Sequence, residues 1–120
     1  MNRVSLKRIY EPPSENDGRR YLVDRLWPRG VSHERASLTD WLKDVAPSVE
    51  LRKWYGHDPT RWEEFRLHYF EELERNLVAV EFLRDEARRG PITLVFAAKN
   101  EEFSHARALK EFLEREFPLA

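Results

Sequence analysis

The sequence predicts an α/β fold: a small, mostly parallel β-sheet of three to four strands, with a helical insert between the second and third strands and a C-terminal helix. Three observations point there. Strand-like stretches stand near the start, around Val4–Tyr10 and Arg20–Trp27. An almost continuous apolar run, Ile92–Ala98, stands late in the chain. Between them, and again after Asn100, apolar residues recur at helical spacing.

Each element has its own signal. Val4–Tyr10 (VSLKRIY) opens with alternating apolar and polar residues, as a half-buried strand does. The turn formers of EPPSENDG follow, and Arg20–Trp27 reads as a second strand. The loop joining the two is short for a parallel crossover, so a hairpin is the alternative at this link. Ser37-Leu38-Thr39-Asp40 has capping-box form and predicts a helix over WLKDV. Pro47 fits the start of a helix over PSVELRKWY. Asp58-Pro59 offers an N-cap and first-turn pair for the next, along which Trp62, Phe65, Tyr69 and Leu73 keep helical spacing. Another runs roughly from Asn76 to Arg89, with Leu77, Val80, Leu83 and Ala87 inward and Gly90 as its stop. Ile92–Ala98 suits a central strand covered on both faces. Asn100 is placed to cap a last helix carrying Phe103, Ala106, Leu109, Leu113 and Phe117. A chain of 120 residues without repeats or linkers suits one domain, 1–120.

Composition narrows the function. Apolar residues are 41% and aromatics 12%, which suits a packed core rather than disorder. The net charge is −1, so no global basic field attracts nucleic acid, and a nucleic-acid partner would need a local patch. With no cysteine, disulfides, thiolate chemistry and Cys-ligated zinc are excluded. No apolar run approaches membrane-spanning length and MNRVSLKRIY is not a signal peptide, so no membrane partner is expected and the cytoplasm is the default compartment.

The stretch VDRLWPRG, Val23–Gly30, draws attention because an acid, two arginines and a tryptophan crowd one strand end. In open parallel sheets, ligands bind outside the carboxyl ends of the strands. Asp24, Arg25, Trp27 and Arg29 fall at the end of the second strand, and Lys99 and Asn100 at the end of the third, where the last helix offers its N-terminus. Arginine suits an anion site because its planar fork bonds oxygens in pairs. Trp27 offers a stacking face. Asp24 can orient an arginine, hold a substrate hydroxyl or act as a general base. The ordinary alternatives are a structural ion pair for Asp24 and Arg25, packing for Trp27-Pro28, and a turn at Arg29-Gly30 with positive φ at the glycine.

A second cluster is LRKWYGHDPTRW, Leu51–Trp62. Asp58 reads first as a helix cap. His57, before it, is an acid/base candidate, because histidine titrates near neutral pH. Trp54 and Trp62 read as core, and Arg52 can reach the same anion site or decorate a helix. His105, early in the last helix, is a candidate hydrogen-bond donor or base, whereas His33 and His68 have no supporting neighbours. The catalytic candidates are thus Asp24, His57 and His105, and the ligand-binding candidates Arg25, Trp27, Arg29, Arg52 and Lys99. No glycine-rich phosphate loop, no metal-ligand spacing and no nucleophile elbow is present, so no metal or cofactor is expected.

Three segments together, VDRLWPRG, WLKDVAPSVELRKWYGHDPTRWEEF and ITLVFAAKNEEFSHA, resemble the YeaO-like branch of the domain of unknown function 488 family, over Leu6 to about Leu113. The resemblance implies a small bacterial α/β protein. In broader relatives the second strand ends in an Asp-x-Arg pattern, here near Asp24, and a Cys-His-Arg element opens the last helix. This chain has Ser104-His105-Ala106 there, so a thiol mechanism does not carry over. Nearer members place Asn before the histidine, where this chain has Ser104. Asp24, Arg25, Trp27, Arg29, Trp54, His57, Asp58, Trp62 and His105 match the branch pattern. The expected function is binding of an anionic, phosphate- or nucleotide-like ligand at the strand ends, with catalysis left open. The alternative is a non-catalytic module for nucleic acid or protein.

Overall fold

In a computed structural model, which describes residues 3–115, four strands form one parallel sheet: β1 (Val4–Arg8), β2 (Arg19–Leu22), β3 (Asp40–Trp41) and β4 (Ile92–Phe96), in the order β1-β4-β2-β3. The last strand is thus the central one. Val4 pairs with Ile92 and Arg8 with Phe96 on one side, and Arg19 with Ile92 and Leu22 with Val95 on the other. All five residues of β4 are buried, as an unbroken apolar strand in a covered parallel sheet must be. The hairpin alternative is resolved. β1 and β2 run parallel and never touch as a ladder, because β4 lies between them. Gly18 makes the tight entry into β2: its φ is +65°, and a Cβ there would lie 2.1 Å from the Pro91 carbonyl oxygen.

Alternate strand residues face two cores. Tyr21, Val23, Ile92, Leu94 and Phe96 join a large cluster under α2 (Val49–Tyr55), α3 (Trp62–Glu74), α4 (Leu77–Arg89) and α5 (His105–Arg115). Leu22 and Val95 face a smaller cluster with Ile9, Val31 and Ala36, covered by α1 (His33–Ala36) and the loop before it. Phe65, Tyr69 and Leu73 of α3 are at most 1% exposed. Each such side chain contributes about 1.5–3 kcal/mol by leaving water. Among the described residues, no helix is long and apolar enough to cross a membrane.

Several local expectations need correction. β2 ends at Leu22 rather than Trp27. One further ladder bond, Val23 N–H to Val95 O at 3.0 Å, follows. Then the Asp24 side chain takes over as acceptor for Ala97 N–H, at 3.0 Å, and Pro28 has no N–H to offer. The capping box at Ser37–Asp40 starts no α-helix. Thr39 N–H donates to Arg20 O at 2.7 Å and Leu42 N–H to Leu22 O at 2.8 Å, so the backbone of this stretch serves the edge of β2 as β3. Only a 3-10 turn, Lys43–Val45, remains of the expected helix.

α2 begins at Val49, capped by Ser48, whose hydroxyl accepts from Leu51 N–H. Asn100 caps a turn, through Glu102 N–H at 3.0 Å, and Ser104 caps α5, through Arg107 N–H at 3.2 Å. Leu77, expected inward, is 51% exposed, and Trp54, expected in the core, is 37% exposed. Leu77 is the first residue of α4, and the buried row of that helix starts at Val80. Phe117 lies outside the described residues.

Candidate functional site

The ends of β2 and β4, the start of α5 and the α2–α3 connection surround a cleft of about 630 Å³. That is within the ordinary range for small-ligand pockets, about 300–1,000 Å³. The parallel sheet produces it: every strand ends on the same side, and there the chain must leave the sheet with its last polar groups unladdered.

Asp24 holds the two strand ends together. Its Oδ2 accepts from Ala97 N–H at 3.0 Å. Its Oδ1 lies 3.2 Å from His105 Nε2, and both side chains are 16% exposed. The same Nε2 stands 3.0 Å from Val23 O. A carbonyl only accepts, so Nε2 carries the proton and aims it at Val23. Asp24 Oδ1, shielded from solvent, then makes no aligned hydrogen bond although the imidazole is near. Trp41 Nε1–H donates to Asp24 O at 2.7 Å. Asp24 and His105 therefore clamp β2, β4 and α5 to one another.

The cations behave differently. Arg25 is half-buried and donates only to carbonyls, Ala46 O at 3.3 Å and Pro47 O at 3.4 Å. Arg52 and Lys99 are exposed and line the same cleft, as does His57. His57 has φ +57°, directly after Gly56 at φ +55°. A non-glycine residue there costs on the order of 1 kcal/mol or more. Trp27 lines the cleft, but its ring stacks on His33 (centroids 4.0 Å) and its Nε1–H donates to Val31 O at 2.7 Å. Arg29 is the candidate that stays away. It is exposed, does not line the cleft, and its carbonyl accepts from the Tyr10 hydroxyl at 3.2 Å. Gly30, beside it, takes the positive φ of a turn, +74°. His33 has the Trp27 stack, and His68 has Glu64 and Glu71 within 3.9 and 3.8 Å.

Sequence reasoning missed the aromatic interior. Tyr55, Phe65 and Phe103 line the cleft. Tyr55 and Phe65 stack at 4.3 Å, and the Tyr55 hydroxyl donates to Phe103 O at 2.7 Å. Burial, helped by the Asp58 charge, raises the Tyr55 pKa. Phe65 keeps the helical spacing of a core residue and is one, as is Tyr55, whereas Phe103, expected on the last helix, precedes it and is half-buried; nothing in the spacing says that one edge of that core is open. Ser104 also lines the cleft, at 2% exposure. Its hydroxyl donates to Glu101 O at 3.0 Å and accepts from Arg107 N–H. Among the described residues, no group of three or more His, Asp or Glu is placed to hold a metal ion.

The family model described as the inactive DUF488-N3 subclade matches residues 3–119. The chain belongs to the YeaO-like branch of the DUF488 family. It is 43% identical over 111 residues to uncharacterized protein Rv3073c of Mycobacterium tuberculosis, covering 92% of this chain and 93% of that one. Uncharacterized protein Mb3100c of Mycobacterium bovis matches equally, at 43% over 111 residues. Uncharacterized protein YeaO of Escherichia coli is 39% identical over 110 residues, 92% of this chain and 96% of its own. No solved structure matches significantly. In this DUF488 chain the Ser104 hydroxyl is spent on capping α5.

Proposed function

We propose that the cleft binds a small anionic ligand and holds it without chemical turnover. A charge imbalance supports this. Arg25, Arg52 and Lys99 line one cleft, and none has a carboxylate partner among the described residues. The acid in the same wall, Asp24, already accepts from Ala97 N–H and faces His105. An anion entering such a space meets three cations held in no ion pair against one acid, beside apolar walls that weaken the competition from water.

Against turnover stand the absence of a thiol, a Ser104 hydroxyl whose proton goes to Glu101 O while its oxygen caps α5, and an Asp24 held by backbone. The subclade's description as inactive agrees. Calorimetric titration at low salt with phosphate and simple phosphate esters tests the reading. Saturable binding, weakened about tenfold by Arg52→Ala or Lys99→Ala (about 1.4 kcal/mol each), is expected, with the esters recovered intact. Binding indifferent to both substitutions removes the anion site. Ester hydrolysis abolished by Asp24→Asn replaces binding with catalysis.

A further inference from the structure

We infer that the ligand is a free nucleoside monophosphate, its base lying inside the cleft and its phosphate at the rim. This rests on the anion-binding reading above and adds the second half of the ligand. The cleft is graded in polarity. Its aromatic lining is sheltered, Tyr55 at 4% and Phe65 at 1% exposure with Phe103 half-buried, while Arg52 and Lys99 stand exposed to solvent. A tetrahedral oxyanion fills the volume of only a few waters, at roughly 30 Å³ each. A cleft of about 630 Å³ therefore keeps most of its space, and nearly all of its apolar wall, for something attached to the anion.

The attached group must be flat and partly polar. Phe103 is half-buried and held edge-on to Trp62, with centroids 5.7 Å apart and planes at 68°. It flanks the stacked Tyr55–Phe65 pair through the Tyr55 hydrogen bond to its carbonyl. Aromatic side chains of this kind take a nucleobase face at about 1–3 kcal/mol per base. A plain aryl group would leave the cleft's uncommitted polar groups unmatched. Asn100 uses its Oδ1 on Glu102 and Phe103 N–H and keeps its amide donors free, and the imidazole of His57 has no hydrogen-bond partner. A base offers acceptors and donors along its edge to both. The His57 backbone, held in the left-handed region at the cleft mouth, is the strain expected where a side chain is kept for a ligand.

The test is calorimetry on the whole chain with inorganic phosphate, phenyl phosphate, ribose 5-phosphate, adenosine, the four common ribonucleoside 5′-monophosphates and a 5′-phosphorylated pentanucleotide. The best monophosphate is expected to bind at least tenfold more tightly than ribose 5-phosphate or phenyl phosphate. Phe103→Leu, which keeps bulk against Trp62, is expected to close that gap while leaving ribose 5-phosphate affinity within twofold. Arg52→Ala is expected to weaken both ligands alike. If ribose 5-phosphate matches the nucleotides, the nucleotide is overturned and the anion site stands. Adenosine binding as tightly as its monophosphate overturns the anion site as well, and so does silence from every probe. A pentanucleotide binding tenfold tighter than any monophosphate replaces the free nucleotide with a nucleic-acid end.

Discussion

The stretch that enters β2 and the stretch that leaves it are built from the same residue types and do opposite things. On the way in, Asp17 accepts from Ser14 N–H at 3.0 Å and pairs with Lys7 at 2.9 Å and Arg20 at 2.7 Å. Arg20, 5% exposed, spends its other donors on Ala36 O and Ser37 O. Asp17 and Arg20 are thus both closed. On the way out, Asp24 and Arg25 are neighbours in sequence yet form no pair: Asp24 turns to Ala97 and His105, and Arg25 to the carbonyls of Ala46 and Pro47. Asp beside Arg is thus a structural knot at one end and a half-open site at the other. What separates them is whether the cations find a carboxylate before they reach a cavity.

The strongest way to break this comparison is at the closed end. Arg20→Ala leaves Asp17 with Lys7 and Ser14 N–H, and takes from Ala36 O and Ser37 O the donors Arg20 gave them. Loss of about 3–5 kcal/mol is expected in urea unfolding, the usual cost of opening a buried pair from one side. A loss below about 1 kcal/mol would show that the knot is not structural. The Asp17 carboxyl also sharpens the contrast through pH. Desolvation alone raises its pKa, but hydrogen bonds from Lys7, Ser14 N–H and Arg20 outweigh it and the pKa is lowered. A lowered folded pKa means stability present above the unfolded value, about 3.9, and lost as pH falls through the folded one. Asp17→Asn should therefore flatten the stability profile below about pH 4, read from urea midpoints at successive pH values.

At the open end the effects shrink. Asp24→Ala strips Ala97 N–H of its acceptor, for a loss of about 1–3 kcal/mol, while Asp24→Asn keeps an acceptor and should cost less. Equal losses from the two would mean that the charge, not the hydrogen bond, holds the strand ends. At His57, valine should lose on the order of 1 kcal/mol, because a β-branched residue tolerates positive φ poorly. Glycine should come out near neutral, relieving the left-handed strain but gaining about 0.4–1 kcal/mol of unfolded-state freedom. Arg52→Ala and Lys99→Ala come last. Each should move stability by less than about 0.5 kcal/mol, since both are exposed and unpaired, while phosphate affinity falls. A large stability loss from either would make that cation structural and erase the distinction between the two ends.

Much of this was legible in the residues. The unbroken run ITLVF announced the central strand, and Val80, Leu83 and Ala87 announced the buried stripe of α4. Asp24, Arg25, His57, Lys99 and His105 were singled out, and they do line one cleft. Arg29 was singled out on the same grounds and lies elsewhere, because the chain turns at Gly30, three residues after Trp27. The stretch Ser37–Asp40 misled because a capping box is a local preference of about 1 kcal/mol, and bonds from Thr39 and Leu42 to the edge of β2 overrode it.

By itself, the sequence determined the fold class, the helical rows and the excluded chemistries. Those follow from periodicity and residue type, which act between near neighbours along the chain. The three-dimensional fold alone decided that β4 separates β1 from β2, that Trp54 is left exposed, and that Asp24 binds backbone instead of Arg25. Those outcomes depend on which distant groups arrive first at a shared hydrogen bond, and no spacing within one segment encodes that competition.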